Sequence, residues 1–440
     1  MGEAAGSGRM VLSHRETVRA VVAATIGNGL EWFDYISFAF FAPQIAATFF
    51  PGDDPVMSGI KTWLAFGIGV VVRPFAGALI GVYGDRIGRR RVLAIIIMAM
   101  ALGSLTIAVT PGYATIGLAA PILIVLARIL QGIAATGEYS SGIAYLVEYA
   151  PPGRKYLYGS FQFVSQQLAT VLSTLAAFAV SHWLKDIGWA WRLSFLAGII
   201  VAPFGLYIRL KLGEAPEFSA IRVKRPAVKN EAFGALLRHN WMGVLSAVGV
   251  VVPGTVMIYL WFLYGPAYAI GQLKLGRDDI NLITALTAGG AMLLTPVFGL
   301  LSDKSGPWRW FLTAMVLFGL GAYPMFKFLN VAPSEWRFFE CQAIAMLLYA
   351  MLNGPGAQLC ASFFPTLARS TGLGLSINLS VALFGGLAPF YVTKLIALTD
   401  DKLIPAYYII GAVVMGLAML AIGNFGKTAH AAVLKQEQSI

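Results

Sequence analysis

Glu31, Asp34, Arg73, Arg128 and Glu138 stand inside stretches that are otherwise apolar. A charge in such a setting is costly, so each is a candidate for function. At about 100° per residue, Asn28, Glu31 and Asp34 share an arc of about 120° on one helix face. That face offers two carboxylates and an amide among aromatic neighbours. A carboxylate held in low dielectric can bind and release a proton near neutral pH. The competing account is structural: a carboxylate that caps a helix or pairs with an arginine. Arg128 recurs with Gln131, Ala135 and Tyr139 on nearly one face, and Glu138 lies close in angle to Gln131. A planar, permanently charged guanidinium suits a carboxylate ligand bidentately. It also suits an ion pair with Glu31, Asp34 or Glu138. The two uses are compatible if a bound anion competes with the acid. Arg73, followed by Pro74, either lies between helices or extends towards the interface.

Polar groups of lesser cost surround these. Gln162, Ser165, Gln166, Thr170 and Ser173 form a stripe at helical spacing that must face protein or water. Hydrogen bonds between helices account for it, and so does a ligand-binding wall. Tyr259, Tyr264, Asn353, Gln358 and Asn378 supply hydrogen-bonding groups in the second half, where buried charge is scarce. The ionic work is therefore expected in the first half and ligand orientation from the second. Pro253-Gly254 and Gly354-Pro355-Gly356 are expected hinges. Lys61 and Lys394 lie near span ends and are expected at the interface, although Lys394 also has a route to a central cavity. Covalent catalysis is not expected. His14, His182, His239 and His430 are scattered, and Cys341 and Cys360 have no metal or redox spacing. Neither H-E-x-x-H nor G-x-x-x-x-G-K occurs, so work must be drawn from an ion gradient.

The elements that position these groups follow from composition. Of 440 residues, 58% are hydrophobic and 12% charged, against about 45–50% and about 25% in soluble domains. Too little polar surface remains to wrap a water-soluble fold, which excludes a soluble enzyme, a disordered chain and a nucleic-acid module. Helices of about 20 apolar residues cross a bilayer, and the chain has room for about a dozen. Helical periodicity places them at Val18–Phe50, Ser58–Tyr83, Val92–Val109, Ile116–Val147, Leu157–Leu184 and Trp191–Leu210. A second set follows at Asn240–Ile270, Asp279–Leu301, Trp310–Leu329, Trp336–Phe364, Gly372–Leu398 and Ile404–Phe425. The net charge of +11 is the Lys and Arg surplus that positive-inside loops produce. Both termini are expected in the cytoplasm, and no cleavable leader is read in the first residues. The fold class is all-α integral membrane, a pair of six-helix bundles. Residues 1–17 form a tail, 18–210 the first bundle, 211–239 a basic central loop, 240–425 the second bundle and 426–440 a second tail.

Two loops are related. Gly81, Asp85, Arg86, Gly88 and Arg89 follow the second span as G-x-x-x-D-R-x-G-R, and Gly299, Asp303, Lys304 and Gly306 recur after the eighth, about half the chain away. A six-span unit used twice is the economical reading. Such repeats place a substrate site between the halves near the midplane. Asp85 is expected to accept from a neighbouring helix N-terminus or an arginine, and these loop residues are expected to gate.

The Gly81–Arg90 pattern resembles the loop signature of the major facilitator superfamily. Gly27–Tyr35, Arg73-Pro74, Ala127–Gly132 with Gly137-Glu138, Trp189–Arg192, Phe364–Arg369 and Phe384–Pro389 are similar to its metabolite:proton symporter branch. Arg128 to Tyr139 and Pro152–Lys155 look like α-ketoglutarate permeases, while Leu398–Pro405 is closer to citrate–proton symporters. Thr136 stands where the branch has glycine, Ser362 where it has an acid, and Pro307-Trp308 where it has basic residues. The first two bear on substrate choice, and the third weakens the second gate.

The resemblance implies twelve helices and a monomer in the bacterial inner membrane. It also implies proton-coupled symport of an organic di- or tricarboxylate of the citrate, tricarballylate or α-ketoglutarate class. Glu31, Asp34 and Glu138 are the expected proton-coupling groups. The expected substrate contacts are Asn28, Arg73, Arg128, Gln131, Tyr139, Gln162, Gln166, Tyr259, Asn353 and Asn378. No metal, cofactor or nucleic acid is expected; the partners are a small organic anion, protons and lipid. The alternatives are a zwitterionic osmolyte such as proline or betaine, or a shikimate-like monocarboxylate. A membrane enzyme or a non-transporting receptor is a third class, for which no clustered nucleophile or acid–base pair is found. The short tail after the last span lacks the heptads of a coiled coil.

Overall fold

The computed structural model describes residues 14–52, 54–77, 89–136, 138–148, 150–199, 240–365 and 369–423. These are almost entirely helical, and no strand occurs among the described residues. The first half contains α1 (His14–Phe40), α2 (Ala42–Phe49), α3 (Pro55–Val71), α4 (Arg89–Val109), α5 (Ala119–Ala135), α6 (Glu138–Glu148) and α7 (Lys155–His182). A 3₁₀ turn at Ala190–Arg192 leads into the sixth span. The second half contains α8 (Trp241–Gly271), α9 (Arg277–Ser305), α10 (Pro307–Val331), α11 (Glu335–Ser362), α12 (Arg369–Thr399) and α13 (Ile404–Ile422). Eight helices among the described residues are long and apolar enough to cross a membrane, and two shorter apolar helices lie within α4 and α5.

Local signals account for where the helices start and stop. The Asp54 carboxylate accepts from Val56 N–H at 2.8 Å, and Pro55 fills the first helical position, so α3 begins ahead of the expected Ser58. Ser334 Oγ likewise accepts from Arg337 N–H at 3.2 Å to start α11. One expected span is divided. The Val18–Phe50 run breaks at Phe41, ahead of Pro43, which has no N–H to carry the α1 ladder onward. The Ile116–Val147 run is described as α5 and α6, on either side of Gly137, which lies outside the described residues. The central loop expected at 211–239 and the tail at 426–440 lie outside the described residues, as does most of the first tail.

Packing depends on small residues, as expected where lipid gives helices no hydrophobic reason to associate. Gly67 and Gly69 sit on opposite faces of α3. A Cβ on Gly67 would meet Leu387 of α12 at 2.4 Å; one on Gly69 would meet the Arg128 carbonyl oxygen of α5 at 2.5 Å. Gly132 is tighter still: a Cβ there would run into the Gly69 carbonyl oxygen. α3 is thereby drawn against its own bundle on one side and the other bundle on the next. Gly386 of α12 abuts Val70, and Gly354 of α11 abuts the Phe298–Gly299 backbone of α9. α8 and α12 each widen into a π-helical stretch, Met257–Tyr264 and Val381–Gly386. The first follows the expected hinge at Pro253-Gly254, where the missing proline N–H loosens the ladder. Both stretches lie where these helices pass α3: Tyr259 packs edge-on against Phe66, with ring centroids 6.1 Å apart.

Candidate functional site

A cavity of about 50 Å³ lies between the halves and is walled by both. That volume holds about three or four water molecules. Trp32, Arg73, Phe163 and Gln166 line it from the first half; Tyr259, Asn353 and Asn378 are among the residues that line it from the second. Five of the residues singled out from sequence thus meet at one place: Arg73, Gln166, Tyr259, Asn353 and Asn378.

Arg73 supplies the cavity's positive charge among the described residues. The helical backbone yields at Val72, just ahead of Pro74, and the Arg73 side chain turns inward with only 3% of its surface exposed. Its guanidinium carbon lies 4.5 Å from the centroid of the Tyr35 ring and 5.5 Å from that of Trp32. Each such contact contributes about 0.5–2 kcal/mol. They do not hydrogen-bond the guanidinium, and Nε and Nη2 have no hydrogen-bond partner among the described residues. Leaving N–H groups of a buried cation unmet is costly, and an anion in the cavity removes that cost.

Arg128 is placed differently. It is fully buried, does not line the cavity, and sits in a box of rings: Tyr35 at 4.2 Å, Phe38 at 4.5 Å and Phe66 at 4.7 Å. Its Nη1 donates to Gln131 Oε1 at 2.8 Å, and Gln131 Nε2 donates to Ser104 Oγ of α4 at 2.9 Å. Gln131 thus orients Arg128 and ties α5 to α4. The spacing that put Arg128 and Gln131 on one face is realised, and that face looks into the first bundle.

The stripe on α7 divides its labour. Ser173 Oγ donates to the Phe33 carbonyl of α1 at 3.1 Å, and Ser37 Oγ pairs with Ser173 Oγ at 3.1 Å. Asn28 Nδ2 donates to Ser165 Oγ, which fastens α1 to α7. Gln162 is buried against Gly142 of α6, while Gln166 opens onto the cavity. On the other wall, Asn353 Nδ2 donates to the Tyr349 carbonyl at 3.1 Å and its Oδ1 lies over Gly254. Asn378 Nδ2 donates to the Gly374 carbonyl at 2.8 Å and across the halves to the Thr136 carbonyl at 3.3 Å. Glu31 and Asp34 belong to α1, and Glu138 and Tyr139 to α6; their side chains lie outside the described residues. So do Gly81, Asp85, Arg86 and Gly88, and the side chain of Arg89. Two site aromatics, Trp32 and Tyr35, were not singled out for chemistry. The signal was present as two rings three residues apart, on one face of the helix that carries Glu31.

Both ends of the α7–α9 seam are fastened. At one, the Asp303 carboxylate accepts from the N–H groups of Tyr156 and Leu157, each at 3.0 Å, in the first turn of α7. Lys304 beside it is exposed. Nearby, Arg369 of α12 pairs with Glu148 of α6 at 3.3 Å. At the other end Asp278 accepts from Ser181 Oγ and lies 3.0 Å from His182 Nδ1. Arg192 contributes to the scaffold, donating to the Ala108 and Thr110 carbonyls at 2.7 Å at the end of α4. No cluster of three or more His, Cys, Asp or Glu is placed to hold a metal among the described residues.

Residues 24–374 match the family model described as Major Facilitator Superfamily. The chain is 36% identical over 404 residues to a citrate-proton symporter of Klebsiella pneumoniae, covering 91% of this chain and 90% of that one. It is 30% identical over 410 residues to a proline/betaine transporter of Salmonella typhimurium, covering 91% and 82%. A solved structure of the MFS proton:xylose symporter XylE superposes with a TM-score of 0.73 at 16% identity, covering 94% of this chain and 96% of that one. At that identity the likeness speaks to the fold alone. With a matching family model over most of its length and relatives of this similarity, the chain is a multi-pass membrane transporter of twelve helices, not an enzyme, and belongs to the Major Facilitator Superfamily.

Proposed function

We propose that the protein is a proton-coupled symporter that carries an organic di- or tricarboxylate across the bacterial inner membrane by alternating access. The observation that carries this reading is Arg73, a buried guanidinium on a cavity shared by both halves, with Nε and Nη2 unmet among the described residues. A carboxylate is the ligand that a planar fork of donors fits best. Gln166, Tyr259, Asn353 and Asn378 orient its remaining oxygens. Glu31, Asp34 and Glu138 carry the co-transported proton, and no prosthetic group takes part. The similarity to citrate-proton symporters supports the same substrate class. A cavity walled by both halves near the midplane is loaded by the halves parting at one end. The basic bias of the loops makes the Asp303 end the cytoplasmic one. The protein works as a monomer.

A second reading is favoured by a specific feature. Trp32 and Tyr259 line the cavity, and aromatic faces bind a quaternary ammonium. A betaine would then place its carboxylate on Arg73 and its ammonium on the rings, in keeping with the proline/betaine relatives. The two readings part in proteoliposomes assayed with radiolabelled citrate, α-ketoglutarate, proline and betaine. Citrate or α-ketoglutarate uptake that rises with an inward proton gradient and is abolished in Arg73→Ala supports the first. Uptake of betaine alone establishes the second. Uptake of a carboxylate that ignores the gradient, or survives Arg73→Ala, refutes the assignment of roles.

A further inference from the structure

Asn378 serves two places at once. It lines the cavity from α12, and it reaches across to the other half. Its amide nitrogen carries two N–H groups, and both are engaged. One donates to the Gly374 carbonyl, one turn back on the same helix, at 2.8 Å. The other donates to the Thr136 carbonyl of the first half at 3.3 Å. With carbonyls at both contacts, this end of the amide must be the nitrogen. Neither bond uses the amide oxygen.

Thr136 follows directly on α5, and its own hydroxyl is committed to that helix, donating to the Gly132 carbonyl at 2.9 Å. The tie to Asn378 therefore depends on the main chain of Thr136 and not on its side chain. α12 is joined to the first half a second time towards its start, where Arg369 pairs with Glu148, the last residue of α6, at 3.3 Å. At 1.5 Å per residue the two ties stand about 13 Å apart along α12. The Asn378 tie is at the cavity's edge, whereas the Arg369 pair lies at the Asp303 end and does not line the cavity. The ladder of α12 is re-spaced beside the inner tie, because its π-helical stretch starts at Val381, another cavity residue.

A carboxylate offers acceptors only, so it can meet Asn378 only at Nδ2, where neither N–H is idle. The Gly374 bond is the shorter and stays within one helix, so the bond between the halves is the one that yields. We infer that Asn378 couples the cavity to the opening of the Asp303 end: a substrate carboxylate that takes its N–H withdraws the tie to Thr136. The inference rests on the proposed carboxylate substrate, and it holds for citrate and for betaine. A neutral hydrogen bond of this kind biases the closed state about 2- to 10-fold. The link is reciprocal: substrate favours the arrangement with the tie broken, and the intact tie weakens substrate by the same factor. The Arg369 pair closes the same end without reading what the cavity holds.

The test is the distance between spin labels at Pro152 and Ser370, both exposed, in a background with Cys341 and Cys360 replaced. The parent, Asn378→Ala, Asn378→Asp and Thr136→Ala are measured without ligand and with saturating citrate or betaine, each after a check for monodispersity in detergent. Without ligand, the longer-distance population is expected to rise about 2- to 10-fold in both Asn378 variants, since alanine has no donor and aspartate only acceptors. Thr136→Ala keeps the carbonyl and is expected to match the parent. Whichever of citrate and betaine binds is expected to raise that population in the parent by a similar factor, and in Asn378→Ala by less than half as much. A substrate contact that is no tie would leave the ligand-free distances of both Asn378 variants unchanged. A tie that substrate does not release would leave the ligand-induced rise undiminished in Asn378→Ala. Either result would overturn the inference while the carboxylate reading stands. A parent that binds neither citrate nor betaine would overturn that reading, and this inference with it.

Discussion

Replacing Asp303 tests whether the bundles are latched by a helix cap. The carboxylate lies at the end of α9 in the second half and accepts two N–H groups, at 3.0 Å each, from the first turn of α7 in the first half. An acidic cap contributes about 0.5–2 kcal/mol, and a favourable helix dipole adds about 0.3–1 kcal/mol. Asp303 is only partly buried, so solvent screening reduces the sum to about 1–2 kcal/mol. The contact exists only while the start of α7 meets the end of α9. Its loss therefore acts in full on the equilibrium between closed and open at that end, about a 5- to 30-fold shift at 1.4 kcal/mol per tenfold. Asp303→Asn keeps the shape but not the charge, and one of its two acceptors becomes a donor that faces an N–H; it should lose nearly as much. The assay is electron–electron resonance between spin labels at Pro152 and Lys304, both exposed, in a background with Cys341 and Cys360 replaced. A longer-distance population should grow in Asp303→Ala and Asp303→Asn. A distance distribution indistinguishable from the parent in both would refute the latch.

Three further outcomes follow from the same geometry. Asp278→Ala removes the Ser181 and His182 contacts at the far end of the α7–α9 seam and should open that end instead. Its shift should be smaller, about fivefold or less, because the pair is exposed; labels at the two ends of the seam separate the effects. Cys360 lines the cavity while Cys341 is buried against the Met325 carbonyl, so in Cys341→Ala a small permeant thiol reagent should block uptake, and saturating substrate should slow the block several-fold in a timed labelling experiment. Gly132→Ala forces a methyl to within 1.7 Å of the Gly69 carbonyl oxygen, and since backbone cannot yield cheaply it should cost at least the roughly 1–3 kcal/mol of an overpacked core. Its folded yield by fluorescence size-exclusion should drop, whereas Gly411→Ala, with nothing within 4 Å, should be silent.

The spans were legible because lipid forces one solution on an apolar chain: helices that satisfy their own backbone. Their ends were legible where a side chain marks them, as Asp54-Pro55 and Ser334 do. The break at Phe41 was missed because hydropathy runs through it. A proline at such a point registers only when the ladder of hydrogen bonds is counted. The candidate site was legible as a set of residue types, since buried charge and amides are rare enough to stand out. Which of them converge was not, because helical phase locates a face but not its neighbour. Arg128 and Gln131 share a face as the spacing requires, yet Gly69 and Gly132 press α3 onto α5 so closely that this face is roofed by Tyr35, Phe38 and Phe66.

The glycines, then, decide which arginine faces the cavity. With α3 drawn onto α5, Arg128 is enclosed and Gln131 is left to orient it. One turn beyond Gly69, the same helix loosens at Val72 and delivers Arg73 to the cavity. Substrate charge is therefore expected to be read by an arginine at a helix break, where small movements of the backbone change its reach. Arg128 is enclosed by rings and held by Gln131. A carrier needs both, since a cation that follows its ligand between two openings must move against one that does not.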